Sequence, residues 1–89
     1  MLILEYKNSF KKDLKLMKKR GKDSQKLYNI ISELAHQKPL AKYHLDHSLK
    51  GEHSHCRECH IEPDWLLIYF IKNKNIIFVR TGTHADLFK

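Results

Sequence analysis

The amino-acid order predicts an α+β fold, with two N-terminal helices packed on a small, mainly antiparallel sheet. Two apolar repeats of helical spacing follow one another between Phe10 and Leu34. After a polar stretch come two short apolar runs, residues 65–71 and 76–80, separated by Lys72-Asn73-Lys74-Asn75 as in a hairpin. With 89 residues there is room for one core, so the expected organisation is a single domain, 1–89.

Leu2, Leu4 and Tyr6 alternate with Ile3 and Glu5, which suits a short first strand. Asn8 or Ser9 then reads as the cap of a helix carrying Phe10, Leu14 and Met17, and Gly21 offers a left-handed stop. Asp23 or Ser24 starts a second helix with Leu27, Ile30, Ile31 and Leu34 on one face. It ends before Pro39, whose ring disfavours helical geometry at Lys38. Residues 39–53 show no period and read as a loop. Residues 55–61 read as a polar strand, and Glu62-Pro63-Asp64-Trp65 as a tight turn into the apolar strand 65–71. The chain returns over 76–80 and finishes in a short tail, 81–89. Nothing in the order suggests a cover for the sheet face away from the helices, so that face is expected to be the working surface.

Charge is unevenly placed. Residues 1–42 hold 11 of the 17 Lys and Arg but 4 of the 10 Asp and Glu, whereas residues 43–89 are neutral and hold six of the seven histidines. Such an asymmetry fits a polyanionic partner, and equally a solvated helix face. Lys11, Lys15, Lys18 and Lys22 form a stripe away from the apolar face of the first helix. The longest apolar run is too short to cross a bilayer, and the first residues lack a basic, apolar leader. The cytoplasm is therefore the expected compartment, with no membrane partner and with Cys56 and Cys59 reduced.

Some of these side chains suit metal-free RNA cleavage, in which a base takes the 2′-hydroxyl proton and an acid protonates the leaving 5′-oxygen. His60 and His84 have the right pKa range for both tasks. Arg80 matches phosphate oxygens with a planar fork, and Asp64 is placed to orient an imidazole. Each residue has a plainer reading: an ordinary surface histidine, a turn aspartate, or an arginine paired with a carboxylate such as Glu62. Trp65 and Phe88 offer faces for base stacking, although Trp65 reads equally well as core. Cys56-Arg57-Glu58-Cys59, flanked by His53, His55 and His60, raises zinc as an alternative. Yet residues 56 and 59 of an extended strand point to opposite faces.

Four blocks carry a resemblance across nearly the whole chain: 6–13 (YKNSFKKD), 46–51 (DHSLKG), 57–65 (RECHIEPDW) and 80–88 (RTGTHADLF). They closely resemble the YafQ-like branch of the RelE toxin superfamily, ribosome-dependent mRNA endonucleases of bacterial toxin–antitoxin pairs. The resemblance implies the same α+β fold, and a mechanism built from imidazole and guanidinium calls for no cofactor or catalytic metal. The resemblance also implies catalytic roles for His47, His60, Asp64, Arg80 and His84, and substrate contacts by Trp65 and Phe88. His47 enters only in this way, since nothing in its spacing marks it. Implied partners are mRNA on the ribosome, a cognate antitoxin and, through the toxin–antitoxin complex alone, operator DNA. Lys11, Lys15 and Lys18 would then face ribosomal RNA or an acidic antitoxin segment. Two departures bear on cleavage preference and loop shape: Cys56 stands where the family often has an aromatic residue, and residues 52–55 are rich in histidine. A ParE-like toxin acting on DNA gyrase and a small nucleic-acid- or zinc-binding module are the alternatives, and the first has no need of these imidazoles, Asp64 and Arg80 together.

Overall fold

The computed structural model describes residues 1–51 and 54–88. Its elements are β1 (Ile3–Tyr6), α1 (Asn8–Lys19), α2 (Ser24–Ala35), a 3-10 turn (Lys42–His44), β2 (His47–Ser48), β3 (Arg57–Glu62), β4 (Trp65–Lys72), β5 (Asn75–Gly82) and α3 (His84–Leu87). The strands form one sheet in the order β1-β5-β4-β3-β2. Among the described residues, only the β1–β5 pairing is parallel. This is the α+β architecture expected.

The helix boundaries show local chemistry at work. Gly21 ends α1 with φ of 83°, and the Lys22 N–H reaches back to the Met17 carbonyl at 3.0 Å. Asp23 caps α2 by accepting from the Gln25 N–H at 3.0 Å. The start of α1 departs from expectation: its cap is Lys7, with no side-chain bond. Ser9 donates instead to the Val79 carbonyl at 2.6 Å. That carbonyl lies at an irregularity of β5, where Ile68 pairs with Arg80 and Tyr69 with Phe78, so Val79 has no register partner on β4.

Phe10 and Met17 of α1 and Leu27, Ile30, Ile31 and Leu34 of α2 form one core with Cys59, Ile61, Trp65, Leu67, Tyr69, Ile76 and Phe78 of the sheet. Burying such a set against one sheet face is the main driving force for the fold. Trp65 is 0% exposed, its Nε1–H donating to Thr81 Oγ1 at 2.9 Å while the Thr81 hydroxyl donates to the Leu66 carbonyl at 2.7 Å.

Three expectations need correction. The sheet face away from the helices is not bare, for Leu66 is 0% exposed and Ile68 5%. Leu66 lies across from Gly82, and α3 packs there so closely that a Cβ on Gly82 would stand 3.0 Å from the Asp86 Cβ. The loop 39–53 contains the 3-10 turn and β2, because two-residue pairing leaves no periodic signal. The tail also holds a helix, opened by a Thr83–Asp86 capping box that is legible in the sequence.

Trp65→Phe should keep the fold while leaving the Thr81 hydroxyl without its donor. Unfolding free energy should drop by about 1–3 kcal/mol, read as a lower urea midpoint by circular dichroism.

Candidate active site

Alternation along β3 sorts its residues. Cys59 and Ile61 enter the core under the helices, whereas Glu58 and His60 take the opposite face. Across the sheet, Glu58 aligns with Ile68 and Arg80, and His60 with Leu66 and Gly82. β2 then brings His47 opposite Glu58. Glu58, 5% exposed, sits between two imidazoles, with its Oε1 3.6 Å from both His47 Nε2 and His60 Nε2.

Carbonyls only accept, so the neighbouring oxygens select imidazole tautomers. His60 Nδ1–H donates to the Pro63 carbonyl at 3.1 Å, and His47 Nδ1–H to the Leu45 carbonyl. Both Nε2 atoms are thereby directed toward Glu58. The segment carrying His47 is itself anchored, because Asp46 accepts from the Tyr69 hydroxyl at 2.8 Å and Arg57 spans Asp46 and Ser48. His44 Nδ1–H donates to the His60 carbonyl at 2.6 Å, tying the 3-10 turn to β3.

On the other side of His60 stands His84, with ring centroids 5.7 Å apart. Asp64 Oδ1 accepts from both the His84 backbone N–H, at 2.9 Å, and its Nδ1–H, at 2.6 Å. The backbone N–H and then the ring bond hold the Asp64 carboxyl below its ordinary range. His84 therefore presents Nε2 outward, beside His60. Rings this close are contacting neighbours, so the two imidazoles form one cluster that a single phosphodiester group would meet from its open side.

Arg80 is not aimed freely at this pair. Its Nε and Nη2 grip the Asp13 carboxylate of α1, leaving Nη1 outside that fork. The structural partner anticipated for it, Glu62, is instead taken by Lys22 at 3.0 Å and Lys26 at 2.9 Å. Lys22 thus leaves the proposed basic stripe for an ion pair. Lys11, Lys15 and Lys18 are exposed, but at about 3.6 residues per turn they lie roughly half a turn from Asp13 and Arg20, the α1 residues that reach β5 and α3. The stripe does not border the imidazoles. Trp65 is corrected too: a fully buried indole has no face to offer a base. Phe88, 46% exposed next to α3, keeps one. Glu58 was missed as a participant, although its i, i+2 spacing from His60 on a strand was a usable signal.

Both cysteines are free and buried, Cys59 within β3 and Cys56 just before it. Cys59 joins the core cluster, and burial raises the pKa of both thiols, disfavouring the thiolates that would bind zinc. Among the described residues no three His, Cys, Asp or Glu side chains form a metal-holding group. His53, part of the zinc alternative, lies outside the described residues.

A family model described as "Bacterial toxin of type II toxin-antitoxin system, YafQ" matches residues 2–89. The chain is 44% identical over 86 residues to the mRNA interferase toxin YafQ of Escherichia coli K12, covering 96% of this chain and 94% of that protein. Its structure is similar to YafQ in the E. coli DinJ-YafQ complex, with TM-score 0.92, 42% identity and full coverage of both chains. It is also similar to a metal-bound toxin from Helicobacter pylori, with TM-score 0.93, 44% identity and coverage of 99% and 100%.

Because the folded pKa of Asp64 lies below its ordinary 3.8, its bonds to His84 should be complete above that value and lost only as pH falls through the lower folded one. A carboxyl NMR titration should find the Asp64 midpoint below 3.8 in the native protein and a midpoint closer to the ordinary value in His84→Ala.

Proposed function

Since this chain belongs to the YafQ family of type II toxin–antitoxin toxins, we propose that it is an mRNA interferase, an endoribonuclease acting on messages in the ribosomal A site. The observation that carries this reading is the Asp64–His84 pair standing beside His60. Asp64 keeps the His84 Nδ1–H oriented and stabilises the imidazolium, as a buttressing carboxylate does for a catalytic histidine. His84 then serves as the acid that protonates the departing 5′-oxygen. His60 Nε2, with His47 and Glu58 alongside, draws the proton from the 2′-hydroxyl as that oxygen attacks phosphorus. The products are a 2′,3′-cyclic phosphate and a 5′-hydroxyl end.

Arg80 supplies charge to the phosphorane through the part of its guanidinium outside the Asp13 fork. Asp13 fixes the plane of that group in advance, so less side-chain freedom is lost when phosphate arrives. Phe88 stacks on a base near the cut. Lys11, Lys15 and Lys18 dock on ribosomal RNA, away from the chemistry. A cognate antitoxin, as in the E. coli DinJ-YafQ toxin-antitoxin complex, inhibits the protein, and the pair binds operator DNA. No described helix is long and apolar enough to cross a membrane, and the place of action is the cytoplasm, with the ribosomes.

His84→Ala should reduce cleavage of a ribosome-bound message by about a hundred- to ten-thousandfold with an unchanged circular dichroism spectrum; near-normal cleavage would remove His84 from the mechanism. The metal-bound relative makes cofactor dependence a sharp test. Cleavage should persist after zinc and copper are stripped with magnesium maintained for the ribosomes, and loss that zinc restores would contradict the imidazole mechanism. Replacing Lys11, Lys15 and Lys18 by Gln should weaken ribosome association and flatten its salt dependence by about one log unit per lost phosphate contact. Turnover on saturated ribosomes should change little.

A further inference from the structure

His84 is the first residue of a helix that has little means of holding itself in place. α3 is four residues long and none of its side chains is buried. So short a helix is unstable alone, and apolar packing does little to fix it. What locates it is polar. Asp86 Oδ2 accepts from the Thr83 N–H at 2.9 Å while Thr83 Oγ1 accepts from the Asp86 N–H at 3.2 Å. The same carboxylate receives a two-pronged bond from Arg20, at 2.7 Å from Nη1 to Oδ2 and 3.1 Å from Nη2 to Oδ1. Arg20 is the C-terminal cap of α1, the helix whose Asp13 already grips Arg80 and the Thr81 N–H. Gly82 permits the approach, since a side chain there would press on Asp86 and Leu87.

We propose that Arg20 and Asp86 are positioning residues for RNA cleavage, a bidentate clamp that fastens α3 to the end of α1 and so sets His84 against Asp64. This rests on the reading of His84 as the acid. The clamp touches no reacting atom and works through the placement of one imidazole. Its loss acts on kcat, because an imidazole displaced by about an ångström delivers its proton poorly, by up to a hundredfold. Apart from Phe88, which caps α3 and moves with it, message binding is made elsewhere, so KM changes much less than kcat. The Asp86 carboxyl is held well below the usual carboxylate range, by Arg20 first and then the Thr83 N–H. The clamp thus stays charged at any pH at which ribosomes function.

The test uses the full-length protein with Arg20→Gln, Asp86→Asn, the double variant and Arg20→Lys, assayed on ribosomes programmed with one message. Each of the first two should lower kcat roughly ten- to a hundredfold, with a much smaller change in KM. The double variant should be no worse than the poorer single one, as for two halves of one interaction. Arg20→Lys, which keeps the charge without the fork, should recover part of the rate. In the free protein, nitrogen-15 NMR of the imidazoles should show His84 held as the Nδ1–H tautomer in the wild type and exchanging between tautomers in the Gln and Asn variants. Unaltered amide signals from β3, β4 and β5 would distinguish a displaced α3 from an unfolded chain. Wild-type kcat, additive losses, a rise in KM alone or an unaltered His84 signature would each overturn the clamp. If the wild type itself fails to cleave, the functional reading falls while the NMR comparison still decides the clamp.

Discussion

The hydrogen bond from the Trp65 indole to Thr81, closed inside the core, is the contact on which the site's geometry depends. Trp65 opens β4 immediately after Asp64, and Thr81 lies between Arg80 and Gly82 near the end of β5. Joining the two fixes the turn that carries Asp64 relative to the strand end that carries Arg80 and leads into His84. A buried polar pair of this kind stabilises the fold only modestly. Left half-made it is costly, so it selects one register of β4 against β5. Shifting β4 by one residue would turn Trp65, Leu67 and Tyr69 away from the helices and leave Leu66 and Ile68 facing them.

Around that contact the molecule divides its labour by face. The helices and the inner sheet face supply apolar burial, and the outer face holds polar groups whose positions are set by hydrogen bonds from the backbone and from carboxylates. Glu58 and His60 share β3 with Cys59 and Ile61, so a single strand serves both purposes at alternate residues. α1 is divided too. Asp13 and Arg20 reach β5 and α3, while Lys11, Lys15 and Lys18 face solvent on the opposite side. An anion-binding surface and a site-supporting surface on one helix can thus change independently.

Most of the fold was legible because its signals are local. Helical spacing marked α1 and α2, Gly21 and Asp23 marked their junction, and continuous apolar runs marked β4 and β5. The misreadings share a cause. Ser9 looked like a cap, which accepts from a backbone N–H, but its hydroxyl donates to the Val79 carbonyl at the irregular β4–β5 register. Trp65 looked like a stacking platform, and burial turned it into a structural donor. Lys22 looked like part of a basic stripe, yet Glu62, forty residues away, claims it. The Thr83–Asp86 box is the exception, a local signal that was available.

By itself the sequence determined the fold class, the order of the main elements and the residue types from which the site is drawn, since hydrophobic periodicity and turn chemistry act over a few neighbouring positions. The tertiary structure alone decided the partnerships: Asp64 with His84, Asp13 with Arg80, Arg20 with Asp86, and Glu58 between His47 and His60. Apart from Glu58 and His60, two positions apart on one strand, these join residues eleven to sixty-seven positions apart. A long-range pair is chosen by whichever groups the packed sheet and helices bring within hydrogen-bond reach, and spacing along the chain carries no record of that choice.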